Sequence, residues 1–262
     1  MAKGAVLETR RLTRRFGGLV ALEGVDFGMS AGELRAIIGP NGAGKTTFFN
    51  LVRGRLAPTA GDIYFRGRRI TGVAPHAISH LGIASTLQIT SVFANLTVWE
   101  NVLAAAQSRK AFGHLLSPFA RFPDREARAE EILGLVGLLD RGGEPASNLS
   151  HGEQRLLEMG IALATDPLLL LLDEPTAGMG GEETQLTVET IKKLSRSVDI
   201  LLVEHDMDVV MGLAQRITVF DQGQILAEGT PPEIQANARV QEVYVGTAAS
   251  SGGCGQSSGA AE

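Results

Sequence analysis

The spacing of apolar residues divides the chain into strand-like and helix-like parts. Residues 5–38 form short apolar runs separated by glycine-containing turns, and residues 61–68 alternate as a hairpin strand does. From about residue 88 the apolar positions recur at helical spacing. The runs at 168–172 and 200–203 are continuously apolar, which is typical of parallel strands buried on both faces. The pattern predicts an α/β fold with a block of helices between two groups of strands.

The block of helices is marked by residues that begin and end helices. Thr97-Val98-Trp99-Glu100 has the form of a capping box, in which the threonine and the glutamate satisfy each other's backbone N–H groups. Asp124 begins a second, charged helix that Gly137 ends, and Ser150-His151-Gly152-Glu153 is another capping box. Taken alone, the last motif indicates only the start of a helix. We interpret the block as an insertion into an α/β core.

A glycine-rich turn between a predicted strand and a predicted helix is the first candidate binding site. Glycines in this turn let successive backbone N–H groups converge on one point, where the first turn of the helix adds its positive dipole end. The spacing is that of a phosphate-binding loop, in which Lys45 reaches the β- and γ-phosphates and the Thr46 hydroxyl binds Mg²⁺. The candidate nucleotide-binding residues of the loop are Gly39, Pro40, Asn41, Gly42, Ala43, Gly44, Lys45, Thr46 and Thr47.

Two carboxylates follow the apolar run at 168–172. Ligands of open parallel sheets bind at the carboxyl ends of the strands, so Asp173 and Glu174 are expected beside the glycine-rich loop. Asp173 suits magnesium binding, and Glu174 suits polarisation of an attacking water molecule. Phe16, upstream of the loop, could stack on a nucleobase or pack in the core, and spacing alone does not separate these two interpretations.

Composition narrows the function classes. The 262 residues include 44% hydrophobic residues, enough for a large core, and the formal charge of −5 argues against nucleic acid as a partner. Cys254 is the single cysteine, so no internal disulfide is expected. Residues 1–4 lead into a charged strand, which predicts no signal peptide, and the longest apolar run is far shorter than the roughly 20 residues that span a bilayer.

Together these motifs resemble those of ABC-type ATPase subunits. The glycine-rich loop resembles Walker A, Leu149–Gln154 the LSGGQ-type signature, Leu168–Glu174 Walker B, and His205 the switch histidine. The resemblance covers about residues 5–246 and implies a P-loop NTPase (RecA-like) core with an antiparallel β subdomain and an inserted α-helical signature subdomain. The implied boundaries are about 1–88 and 160–246 for the core with its β subdomain and 89–159 for the helical subdomain. Residues 247–262, which are small or polar around Cys254, are predicted from their composition to form a disordered tail.

The resemblance assigns further site residues. It implies that Gln88 senses Mg²⁺ and the γ-phosphate, that Phe16 stacks on adenine, and that His205 holds the γ-phosphate and orients Glu174. It also implies that the signature binds the ATP of a second subunit, through Ser150, Gly152 and Glu153.

The chain departs from the family pattern at two places. His151 and Glu153 replace glycine and glutamine of the signature, while Ser150 and Gly152 are retained, so phosphate binding is expected to survive. Gly180 stands where the loop after Walker B usually carries an aspartate, which puts communication across a dimer through that carboxylate in doubt.

A narrower resemblance points to a class of importer. Val203–Met207, Leu226–Pro231 and Val243–Gly246 are similar to segments of ATPases from importers of branched-chain amino acids, urea or amides, and Ala177–Met179 favours the urea branch. The implied partners are a second ATPase subunit, identical or similar, two transmembrane permease subunits and, indirectly, an extracytoplasmic solute-binding protein. The implied location is the cytoplasmic face of the plasma membrane.

Two other functions compete with transport. A soluble ABC ATPase of DNA repair or translation would need a long coiled-coil insertion or a tandem duplicate, and the sequence has neither. A regulatory module with an inactive site is disfavoured by Lys45, Asp173, Glu174 and His205 together.

Overall fold

The computed structural model describes residues 5–86, 92–108 and 123–251, which form two β-sheets and the helices around them. The first sheet is antiparallel, in the order β2-β1-β4-β5. Its strands are β1 (Ala5–Phe16), β2 (Leu19–Ser30), β4 (Ala60–Phe65) and β5 (Arg68–Arg69). The antiparallel β subdomain predicted from the sequence is confirmed.

The second sheet carries the candidate site. Its order is β10-β9-β3-β8-β7-β6, and its strands are parallel except for the β9–β10 hairpin. The strands are β3 (Leu34–Ile38), β6 (Ile83–Ser85), β7 (Leu169–Asp173), β8 (Asp199–Val203), β9 (Arg216–Asp221) and β10 (Gln224–Gly229). The carboxyl ends of β3, β7 and β8 therefore meet at one edge, as predicted for a P-loop core.

The helices pack on both faces of the parallel sheet. They are α1 (Lys45–Val52), α2 (Pro75–Leu81), α3 (Val98–Ser108), α4 (Pro123–Leu135), α5 (His151–Leu163), α6 (Gly181–Leu194), α7 (Met207–Leu213), α8 (Pro231–Gln235) and α9 (Ala238–Ser251). The capping box at Thr97 is formed, because Thr97 N–H donates to Glu100 Oε2 at 2.8 Å and Glu100 N–H donates to Thr97 Oγ1 at 3.1 Å.

Alternation along the buried strands divides the core into two layers. Leu170 and Leu172 of β7 pack in the layer that contains α3, α4 and α5, whereas Leu169 and Leu171 pack in the layer that contains α1 and the β subdomain. All four leucines are fully buried. The unbroken apolar run thus predicted a strand with both faces covered, and that prediction is confirmed.

Two predicted boundaries differ from the structure. The division at 159–160 falls inside α5, because Gly160 lies against Val102, Ile132 and Val136 of the helical block and the helix continues to Leu163. Residues 247–251, assigned to a disordered tail, belong to α9, since the alanines there favour continuation of a helix. Residues 252–262 lie outside the described part.

Across the three described ranges, the helices are too short or too polar to cross a bilayer.

Candidate nucleotide-binding site

The loop between β3 and α1 has the backbone of a tight anion cradle. Gly39 has φ +150° and Gly44 has φ +102°, in the region that favours glycine. A Cβ on Gly39 would overlap the backbone carbonyl of Phe220 in β9, and one on Gly44 would lie 2.6 Å from the carbonyl oxygen of Ala21 in β2. The loop is therefore pressed between both sheets, and only glycine fits at these two positions.

Lys45 lies inside the loop at the start of α1. Its ammonium donates to the carbonyl oxygens of Gly39 at 2.5 Å and of Pro40 at 3.0 Å, and the residue is only 8% exposed. Burial lowers the pKa of Lys45, while the charges of Glu174 and Asp173 oppose that effect. The structure thus brings the lysine of the loop into electrostatic range of both predicted carboxylates. Thr46, the next residue of α1, is exposed.

Asp173 ends β7 and is held by a buried arginine. Arg53 Nη1 lies 3.4 Å from Asp173 Oδ2, and Nη2 donates to the carbonyl oxygen of Thr86 at 3.2 Å. Both charged residues are nearly inaccessible, and burial lowers the pKa of Arg53 despite the neighbouring Asp173. The motifs in the sequence did not predict a role for Arg53. The sequence indicated it only by placing an arginine directly after Leu51 and Val52, the apolar residues that end α1.

Glu174 follows Asp173 in an unusual backbone conformation. Its φ is +48°, a region that costs a non-glycine residue about 1–3 kcal/mol, and its N–H donates to the carbonyl oxygen of Val203 at 2.8 Å. The side chain is half-buried, next to the loop that contains Lys45. His205 follows β8, and its side chain is 63% exposed. The two predicted catalytic residues thus lie just after neighbouring strands.

The start of α5 is closed by carboxylates of the same chain. The backbone N–H of Ser150 donates to Glu153 Oε2 at 2.8 Å, and Ser150 Oγ accepts from the N–H of Glu153, so the predicted capping box is confirmed. Ser150 Oγ also donates to Glu183 Oε1 of α6 at 3.1 Å. A Cβ on Gly152 would lie 2.8 Å from Glu183 Cδ. Arg141 donates to the other oxygen of Glu153 at 2.6 Å.

Phe16 and Gln88 are the other two predicted site residues. Phe16 is 42% exposed at the end of β1, and Arg14 lies over its ring at 4.4 Å, so the interpretation as a core residue is wrong. Leu19, its partner across the β1–β2 turn, is also exposed. Gln88 lies outside the described residues.

The last described helix also reaches the loop. The phenol oxygen of Tyr244 in α9 forms a hydrogen bond with the backbone of Gly39, and burial raises the pKa of Tyr244 to about 12. Nothing in the sequence indicated this contact, because Gly39 follows the first strand of the parallel sheet and Tyr244 comes after its last strand.

A glycine-rich cradle, its lysine, and an Asp-Glu pair at the carboxyl edge of a parallel sheet define a P-loop nucleotide hydrolase, here with a β subdomain and an inserted helical block. The family model "ABC transporter" matches residues 22–177, and the model "Branched-chain amino acid ATP-binding cassette transporter" matches residues 224–250. The chain belongs to the ABC transporter family.

Relatives of known name cover almost the whole chain. The high-affinity branched-chain amino acid transport ATP-binding protein LivG of Salmonella typhimurium is 41% identical, over 93% of this chain and 98% of its own. BraF of Pseudomonas aeruginosa, described in the same words, is 39% identical over 93% and 98%. The structure of MJ1267, an ATP-binding cassette of an ABC transporter, in its ADP conformation superposes with a TM-score of 0.82 at 30% identity, over 92% and 99% of the two chains.

Proposed function

We propose that this ABC ATPase hydrolyses ATP to drive an importer of branched-chain amino acids. The observation that carries the enzymatic part is the convergence of Lys45, Asp173 and Glu174 at the carboxyl edge of the parallel sheet. An inactive regulatory module would not need a buried lysine whose charge is balanced by two carboxylates. The names of the relatives support the transported class.

The phosphate-binding loop and Asp173 bind different parts of the Mg²⁺–ATP complex. The backbone N–H groups of residues 39–47 and the ammonium of Lys45 bind the phosphates of ATP. The hydroxyl of Thr46 and the carboxylate of Asp173 are hard oxygen donors, which suit Mg²⁺. The described residues contain no group of three or more His, Cys, Asp or Glu side chains able to hold a metal, as fits an ion that is bound largely through phosphates. When bound, Mg²⁺ neutralises charge that develops on the phosphates.

Three residues act on the attacking water and the γ-phosphate. Glu174 takes the proton of the water, and His205 holds the γ-phosphate and orients Glu174. We assign Gln88 the sensing of Mg²⁺ and of the γ-phosphate. The exposed ring of Phe16 stacks on adenine, a role supported by its position at the end of β1.

The signature works on the ATP of a second subunit. Ser150 and Gly152, at the positive end of α5, bind the γ-phosphate across a dimer interface, and Glu153 holds the helix start through its capping box. The interaction between Ser150 and Glu183 supports this proposal, since an oxyanion of the same chain already lies at that helix end.

The remaining partners follow from the transport role. Two transmembrane permease subunits bind the ATPase dimer at the cytoplasmic face of the membrane, beside Gln88 and the helical block, and a solute-binding protein supplies the solute from outside. The solute touches no residue of this chain. Urea or an amide is the second candidate, favoured by Ala177–Met179.

The experiment uses the Glu174→Gln variant, which keeps Asp173 but removes the base. With ATP and Mg²⁺ the variant should retain nucleotide and form a dimer in light scattering, and adding Ser150→Arg should return it to monomer while nucleotide still binds. Lys45→Ala should abolish both nucleotide binding and turnover. Unchanged hydrolysis by Lys45→Ala, or a Glu174→Gln variant that stays monomeric even with its candidate partner subunit, contradicts the proposal.

Transport is tested separately by coexpression. The ATPase should copurify from membranes with permease subunits, and leucine uptake by the complex should be lost with Glu174→Gln. Uptake of urea in place of leucine would favour the second candidate.

A further inference from the structure

A fully buried carboxylate lies between the two segments that carry the catalytic residues. Glu204 follows β8 directly, precedes His205, and has no exposed surface. Its Oε1 accepts from the backbone N–H of Thr176 at 3.0 Å and from Thr176 Oγ1 at 2.5 Å. Its Oε2 accepts from the N–H of His205 at 3.0 Å and from that of Asp206 at 3.5 Å. One side chain therefore joins the segment after Glu174 to the segment that contains His205.

The backbone around Glu204 extends the same connection to the phosphate-binding loop. The N–H of Glu204 donates to the carbonyl oxygen of Ile37, two residues before Gly39, at 3.4 Å. The carbonyl of Val203 accepts from the N–H of Glu174. Residues 203 and 204 thus contact all three segments of the candidate site.

Glu174 needs such support because its backbone is strained. A non-glycine residue at φ +48° persists only where its surroundings hold it. Val203 binds the N–H of Glu174 itself, and Glu204 binds Thr176, two residues further along. The strained turn is therefore held on both sides by consecutive residues of the β8 segment.

Both carboxylate oxygens of Glu204 act as hydrogen-bond acceptors. Burial of a carboxylate is costly unless hydrogen bonds compensate, and here every contact that Glu204 makes through its oxygens comes from a donor. Glutamine has the same shape but replaces one oxygen with NH₂, which is a donor. That NH₂ group would face either the two donors of Thr176 or the backbone N–H of His205, and on either side a backbone N–H would lose its acceptor. The substitution therefore disrupts one of the two segments without creating a cavity.

We infer that Glu204 is a positioning residue whose side chain fixes Glu174 and His205 relative to each other. The inference rests on the roles proposed above for Glu174 and His205. Glu204 itself is enclosed by protein and acts through these neighbours, so it should affect turnover and not nucleotide affinity.

The test compares turnover with nucleotide affinity in purified ATPase variants. Because misplacement of catalytic groups by about 1 Å costs on the order of 10²-fold in rate, Glu204→Gln should lower kcat by roughly tenfold to 10²-fold. The Kd for ATP, measured with a fluorescent ATP analogue, should stay within about threefold of the wild-type value. A change of that size is smaller than the roughly 1.4 kcal/mol that corresponds to a tenfold change in Kd.

Two further variants address folding and specificity. Thr176→Val removes only the hydroxyl donor and should lower kcat by a smaller factor, whereas Thr176→Ser should restore it. Glu33→Gln is the matched control, because Glu33 is also a buried carboxylate but pairs with Arg35 on β3. It should lower the Tm and leave kcat unchanged.

The outcomes separate the two levels of the hypothesis. If Glu174→Gln and His205→Ala hydrolyse ATP at the wild-type rate, the proposed function fails. If both are inactive while Glu204→Gln and Thr176→Val keep wild-type kcat, only the positioning role is overturned. A loss of ATP affinity equal to the loss of kcat would also overturn it. Should Glu204→Gln fail to fold, the Thr176→Val and Thr176→Ser pair decides.

Discussion

Replacing Arg53 by methionine tests whether its buried ion pair with Asp173 stabilises the protein. Methionine keeps most of the aliphatic stem but leaves Asp173, only 4% exposed, without its guanidinium partner. Breaking a buried pair from one side costs about 3–5 kcal/mol. The single long contact of 3.4 Å places Arg53→Met near the lower value, about 3 kcal/mol. For a chain of this size, that loss lowers the Tm by roughly 6–12 °C.

Thermal unfolding followed by circular dichroism measures the effect. Arg55→Met is the matched control, because Arg55 is exposed two residues further along and its loss leaves the ion pair intact. In an Asp173→Asn background the cost of Arg53→Met should vanish or reverse, since the arginine then lacks its counter-charge. Equal costs in both backgrounds, or a Tm within about 2 °C of wild type, would refute the reasoning.

Substitutions of Phe16, Gly39 and Glu183 test three other features of the site. Phe16→Ala should weaken ATP binding by roughly 1–3 kcal/mol at an unchanged Tm, while Phe16→Tyr is tolerated, as titration and unfolding of the same samples would show. Gly39→Ala should lower the Tm more than Gly42→Ala, because a Cβ overlaps β9 only at the first position; equal Tm values would contradict this. Glu183→Ala should strengthen the ATP-dependent dimer of Glu174→Gln in sedimentation, because Ser150 Oγ loses an internal acceptor, and a weaker dimer would argue against competition.

Local signals made much of this molecule predictable. Both capping boxes were readable because the cap and its partner lie within one helical turn, and both are formed in the structure. The phosphate-binding loop was readable because its glycines, lysine and threonine are contiguous. The Asp-Glu pair was expected at the sheet edge because a continuous apolar run precedes it. In the structure the charges of both carboxylates oppose the lowering of the pKa of Lys45 by burial.

The partners of site residues were not predictable, because they come from distant positions. Arg53 and Asp173 are 120 positions apart, and Ser150 and Glu183 are 33 apart. Apolar periodicity indicates that a strand is buried but does not identify the polar group that will lie beside its end. The extension of α5 beyond the predicted boundary was not predicted either, because it depends on contacts with α3 and α4, which are distant along the chain.

The position of β3 between β8 and β9 has a consequence for synthesis of the chain. The strand that leads into the phosphate-binding loop is made early, yet both of its neighbours in the sheet come from the last third of the sequence. On the ribosome, the antiparallel sheet of β1, β2, β4 and β5 has all its strands within the first 69 residues. Strand β3, in contrast, keeps at least one unpaired edge until residue 221, the end of β9, has emerged. A chain released before that point carries the whole glycine-rich motif but lacks the sheet that shapes it to hold a nucleotide.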